Sequence, residues 1–133
     1  MLISLPWAIT NILLGGAQDT WVKAWWQPVV ALQPGIAEEA WGRVLMVSLL
    51  FLVFRLAARP RVAFTVALFL ASYWFAYLHT SMDLNGLVST ILLGTLYALP
   101  VAYLCLFRDL ETAMGWHFFV DFVRFAAAFV VLT

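Results

Sequence analysis

Charge is what this sequence has least of. Only 11% of its 133 residues are Asp, Glu, Lys or Arg, against about 25% in an ordinary soluble domain. So few charges cannot wet the surface of a globule, which excludes a water-soluble domain. A basic excess is missing as well: seven basic residues stand against seven acidic ones. Nothing is left over to neutralise phosphates, so nucleic acid is not an expected partner. Cysteine is nearly absent. Cys105 lies in an apolar run between Leu104 and Leu106, has no partner for an intramolecular disulfide, and reads as packing. No internal repeat, low-complexity tract or HExxH occurs, and no basic residue precedes the first apolar stretch as a signal peptide would require.

Hydrocarbon fills the space that charge leaves. Hydrophobic residues make up 65% of the chain and the mean hydropathy is +0.98. The apolar runs reach the roughly 20 residues that a helix needs to cross a bilayer. The expected fold is all-α: a polytopic transmembrane helix bundle of four core helices plus a short N-terminal helix, in a single membrane domain over residues 1–133. The short helix is expected over residues 1–16, ending at Gly15 and Gly16. Trp21, Trp25 and Trp26 beside Lys23 suit a membrane interface, completing an N-terminal segment over 1–34. Pro28, Pro34 and Gly35 are then expected to break the chain. Core helices are expected over about 36–56, 62–80, 84–107 and from 109 to the end. Arg59-Pro60-Arg61 reads as a tight turn, and Asp109 as an N-cap with Glu111 in the first turn.

Short connections make neighbouring helices antiparallel, which puts the few polar residues on one depth scale. Glu38 and Glu39 lie near the start of the first core helix, with Arg43 about one turn deeper. His79 ends the second helix and so returns to the same face. His117 lies part-way along the fourth, with Asp121 one turn further on and Arg124 beyond it. Charged groups in the hydrocarbon region cost about 2.5–3.5 kcal/mol each. They persist where they pair or line a cavity, so the set marks a candidate site. Each fragment also has a plain structural reading. Glu39 and Arg43, four apart, can be an ion pair. His79 can be interfacial or contact Asp83 in the turn, and Asp121 can orient His117 or neutralise Arg124.

Three fragments carry more together than apart. Glu38-Glu39-Ala40-Trp41-Gly42-Arg43 fits EExxxR, Phe75 to His79 fits FxxxH, and His117 to Asp121 fits HxxxN/D. In order and spacing, the chain resembles the CAAX-protease and bacteriocin-processing family of intramembrane proteases, which includes the type II CAAX prenyl endopeptidases. The resemblance covers about residues 35–125 and makes 35–133 the catalytic helices. Members of that family usually carry more helices before the first motif, so the chain reads as a minimal member or a fragment.

The resemblance implies an intramembrane endopeptidase, acting on a peptide bond of a membrane-anchored or lipidated protein or peptide at the bilayer. It assigns Glu38 as general base for the attacking water, His79 as its partner, His117 and Asp121 as stabilisers of the oxyanion, and Glu39 with Arg43 as the supporting pair. An ionised aspartate cannot donate a hydrogen bond, so His117 is the expected donor and Asp121 its orienting partner. No cofactor is expected. The alternative is Zn2+ held by Glu38, His79, His117 and Asp121. A different class of function, a non-catalytic scaffold or a proton or ion path, uses the same buried residues.

Arg55, Arg59, Arg61 and Arg108 fall at the face opposite the site, where only Lys23 and Arg124 are basic. By the positive-inside rule the arginine face is cytoplasmic and the site opens to the other side. That disfavours a cytosolic prenylated substrate and favours a multi-pass protein of the bacterial cytoplasmic membrane that trims anchored tails or exported peptides. Oligomeric state and substrate identity are not encoded in any pattern found.

Overall fold

The computed structural model of the chain describes residues 5–6, 9–10 and 19–132. The short N-terminal helix expected over 1–16 lies almost wholly outside them. Every regular element among the described residues is helical, and the architecture is a helical membrane bundle. A 3-10 turn at Gln27–Ala31 leads directly into helix α1, which runs unbroken over 32–54. Helix α2 is Pro60–Leu78, α3 is Leu84–Phe107 and α4 is Leu110–Leu132. Three of these helices, α2, α3 and α4 to Val131, are long and apolar enough to cross a membrane. The first half of α1 instead carries Glu38, Glu39 and Arg43.

Three of the prolines do not end helices here; they begin them. Pro28 opens the 3-10 turn, Pro34 lies in the first turn of α1, and Pro60 is at the start of α2 rather than inside a turn. Proline lacks an N–H, and the first N–H groups of a helix have no intrahelical acceptor, so nothing is lost there. The expected break before residue 36 is therefore absent, and α1 starts four residues earlier. Gly35 has its own reason. A Cβ at that position would stand 3.0 Å from both the backbone N and the Cβ of Phe118. Only glycine lets α1 approach α4 closely at the residue beside His117.

The remaining helix starts follow the expected chemistry. The Asp83 carboxylate accepts from the Gly86 N–H at 2.7 Å and caps α3. Asp109 accepts from the Thr112 N–H at 2.6 Å and caps α4.

Small residues set the contact between α1 and α2. Ala67 and Ala71, one turn apart and fully buried, pack with Val47 and are flanked by Leu50, Phe51 and Phe54 of α1. Lipid tails supply no hydrophobic drive between helices, so close backbone approach through alanine and glycine does that work. A second cluster, Phe75, Tyr97, Ala98, Val101 and Val120, joins α2, α3 and α4 beneath the polar residues. Large side chains such as Leu52, Val62, Leu87, Tyr103 and Val130 face outward.

Two stretches widen from α to π geometry: Ala40–Met46 within α1 and Gly94–Ala98 within α3. Sequence periodicity does not reveal them. For the second, Pro100 has no N–H to give the carbonyl four residues back and its ring crowds that carbonyl, which favours a wider turn just before it. Such widened turns are frequent at functional sites. Here they meet, because the Arg43 guanidinium in the first donates to the Ala98 carbonyl at the end of the second at 3.2 Å.

Candidate active site

Glu38, Glu39, Arg43, His79, His117 and Asp121 meet at one place, in two layers. The inner layer is sealed. Glu39 is fully buried, with Oε1 2.9 Å from Nδ1 of His117. Its Oε2 lies 3.1 Å from Nε of Arg43, an ion pair without hydrogen-bond alignment. Phe75 forms the floor: the Arg43 guanidinium lies over its ring at 5.5 Å, and it meets His117 edge-to-face with ring centroids 6.1 Å apart.

The outer layer is open. Glu38 Oε2 lies 3.4 Å from Nε2 of His79 and 3.7 Å from Nε2 of His117. Asp121 Oδ2 stands 3.3 Å from that same His117 nitrogen. Side-chain exposure is 26% for Glu38 and 40% for His79, against 3% for His117. The two adjacent glutamates thus point to different surroundings, one sealed against a cation and one at an accessible edge between two imidazoles.

His79 is oriented by backbone. Its Nδ1 lies 2.8 Å from the Phe75 carbonyl, which can only accept, so Nδ1 carries a proton and Nε2 is the nitrogen that meets Glu38. Hydrogen bonding to Glu38 raises the His79 pKa above its usual 6.5; burial opposes this and the bond at the Phe75 carbonyl adds to the rise. A raised histidine value means that the contact with Glu38 stabilises the fold fully below pH 6.5. That contribution fades as the pH climbs through the folded-state value. The chain holds two histidines, so their imidazole NMR signals are readily told apart. The His79 titration midpoint is expected above 6.5 and should move down in Glu38→Gln. A midpoint at or below 6.5 in the parent protein contradicts the pairing.

Two of the plain structural alternatives are replaced by other contacts. Arg124 does not pair with Asp121; it grips Asp19 through two bonds, from Nε at 2.8 Å and Nη2 at 3.0 Å. Trp21 packs edge-on against Phe125 nearby, at 5.0 Å. The N-terminal interfacial segment is thereby fastened to α4, which the sequence alone did not reveal because the partners are 105 residues apart. Nor does Asp83 serve His79 in the turn: its carboxylate takes the Ser81 hydroxyl and the Gly86 N–H. The Ser81 bond, with that N–H, holds Asp83 below the usual carboxylate range.

Tyr97 is the residue that motif reading passed over. It lies in the widened turn of α3, 5% exposed, in an edge-to-face contact with His117 whose ring centroids are 5.3 Å apart. The available signal was a lone phenol amid the apolar run LLGTLYALP. As for metals, Glu38, His79, His117 and Asp121 remain the residues a zinc reading would use. Among the described residues no group of three His, Cys, Asp or Glu side chains is disposed to hold an ion.

The family model described as type II CAAX prenyl endopeptidase Rce1-like matches residues 20–123, a stretch containing every residue of both layers. No curated protein and no solved structure matches the chain.

Proposed function

The chain belongs to the type II CAAX prenyl endopeptidase Rce1-like family, and from that premise we propose that it hydrolyses a peptide bond with a glutamate-activated water. One observation carries the reading: the Glu38 carboxylate stands at the open edge between Nε2 of His79 and Nε2 of His117. Water held between Glu38 and His79 gives its proton to Glu38 as its oxygen attacks the scissile carbonyl carbon. The carbonyl oxygen becomes an oxyanion, with His117 as imidazolium donating to it from Nε2. When the tetrahedral intermediate collapses, the C–N bond breaks and the leaving amine takes the proton from Glu38. The products are a carboxylic acid and an amine, so one water is consumed and no proton is left over. Glu39 and Arg43 hold the head of α1 against His117, and Asp121 orients the same imidazole from the other side.

The substrate proposed is a membrane-anchored protein or peptide, lipidated or ending in an apolar helix. The arginine-bearing connections at 55–59 and at 108 lie at the other end of the bundle from Glu38 and His79, which favours a site facing away from the cytoplasm. We place the protein in the bacterial cytoplasmic membrane on that ground.

The test uses the full chain in lipid vesicles with two fluorescence-quenched peptides. One carries a farnesylated cysteine fourth from its C-terminus; the other is unlipidated and ends in an apolar helix. Cleavage of at least one is expected, with one oxygen from labelled water in the new carboxyl group and full rate after treatment with a strong chelator. Loss on chelation that added Zn2+ restores assigns the same four residues to a metal instead. Vesicles that cleave neither peptide but leak protons or ions favour the path-forming alternative.

A further inference from the structure

Resting on that hydrolytic reading, we propose that the Tyr97 hydroxyl donates a hydrogen bond to the oxyanion formed on the scissile carbonyl. The hydroxyl is buried and has no hydrogen-bond partner among the described residues. A buried donor left unmade is costly, and native proteins retain few without a reason. Its position supplies one. The phenol ring packs against the His117 imidazole in an edge-to-face contact, with ring centroids 5.3 Å apart, and His117 is the residue that joins the two layers through Glu39, Glu38 and Asp121.

His117 offers the oxyanion a single N–H, because Nδ1 is on Glu39 and Nε2 is shared with the carboxylates of Asp121 and Glu38. A second donor is therefore called for, and the other candidates are engaged or distant. Asp121, where the motif also admits asparagine, accepts only when ionised. Arg43 gives Nη2 to the Ala98 carbonyl. Its Nη1 is unpartnered, but the guanidinium is held in the sealed layer by Glu39 and lies over Phe75. Ser72 and Trp116 also carry unpartnered polar atoms, yet no ring or ion contact links either to His117, Glu38 or Asp121. Tyr97 is therefore the neutral donor still open to a new acceptor. A neutral O–H fixed in a dry site suits that task, because it needs no reorientation when the charge appears. Tyr97 lies in the widened turn Gly94–Ala98, whose last carbonyl, that of Ala98, takes the Arg43 guanidinium.

Tyr97→Phe deletes the hydroxyl and keeps the ring. On the quenched peptide that the parent cleaves, kcat is expected to fall about 10²- to 10³-fold, as for other lost oxyanion donors. KM and the thermal midpoint should stay near parental values, because the lost group had no partner to leave behind. A phosphinate analogue of the same peptide, whose anionic oxygen occupies the oxyanion position, should lose affinity by a similar factor. Parental kcat and phosphinate affinity in Tyr97→Phe overturn the assignment. So does a fall in kcat accompanied by equal weakening of substrate binding and a lower thermal midpoint, which marks packing alone. Glu38→Gln run in parallel separates the two claims. If it cleaves like the parent, the glutamate mechanism fails, while the phosphinate comparison still decides Tyr97.

Discussion

Glu38→Gln is expected to lower kcat on the cleaved peptide about a thousandfold, well within the range for a lost general base, while the protein folds as before. Glutamine has the same length and shape and can still meet His79 and His117, but its amide cannot take a proton from water. Glu38 is partly exposed and lies 3.4 Å or more from both imidazoles. Its charge therefore contributes little to stability, since accessible ion pairs are worth about 0–1 kcal/mol. The thermal midpoint should consequently shift little, and KM should stay within a few-fold. His79→Ala is the companion variant: it removes the partner without touching the base, so it should cost less than Glu38→Gln, and adding it to Glu38→Gln should cost almost nothing more. Parental turnover in Glu38→Gln with intact folding would remove the proposed base, and the mechanism with it. Additive losses in the double variant would mean that the two residues act on separate steps.

The polar residues were legible in the sequence because the bilayer makes charge conspicuous. Six ionisable side chains in apolar helices stood out by cost alone, and helix direction was enough to bring Glu38, His79 and His117 to one end of the bundle. Cost and helix direction did not divide Glu38 from Glu39; the resemblance assigned their roles, and the burial of each was not legible. Adjacent residues on a helix point about 100° apart, and only the packing of α4 against Gly35 decides which one is sealed. Pro34 and Gly35 misled for a physical reason: both residues punctuate helices, yet here one occupies a first turn and the other a close helix crossing. The two π turns left no periodic trace, although Pro100 is a local signal for the second, and the Arg124–Asp19 clasp left none because its partners are 105 residues apart. Tyr97 was hidden among hydrophobic neighbours because a phenol in an apolar run looks like an interfacial or core aromatic until its hydroxyl is found without a partner.

Arg43→Leu should be the most destabilising change at the site, costing about 3–5 kcal/mol, the usual penalty for stranding one member of a buried ion pair. Glu39 is fully buried, so after the substitution its carboxylate keeps only the His117 Nδ1, and the Ala98 carbonyl loses its side-chain donor. Unfolding of the detergent-solubilised protein should show a lower thermal midpoint and loss of the near-UV signal from the packed aromatic rings. Glu39→Gln combined with Arg43→Leu removes both charges together. It should recover most of the stability, because an intact buried pair adds little net free energy over neutral groups that fill the same space. The amide oxygen can still accept from His117, so the imidazole keeps its orientation. Turnover should then return to a measurable level, which distinguishes a supporting pair from the base: no second change restores Glu38→Gln. The coupling between positions 39 and 43, read from the four proteins of the cycle, should be large and favourable. If Arg43→Leu melts like the parent, the sealed layer is not holding α1 against α4. If the doubly neutral variant is stable but as inactive as Glu38→Gln, one of the two buried charges takes part in the chemistry itself.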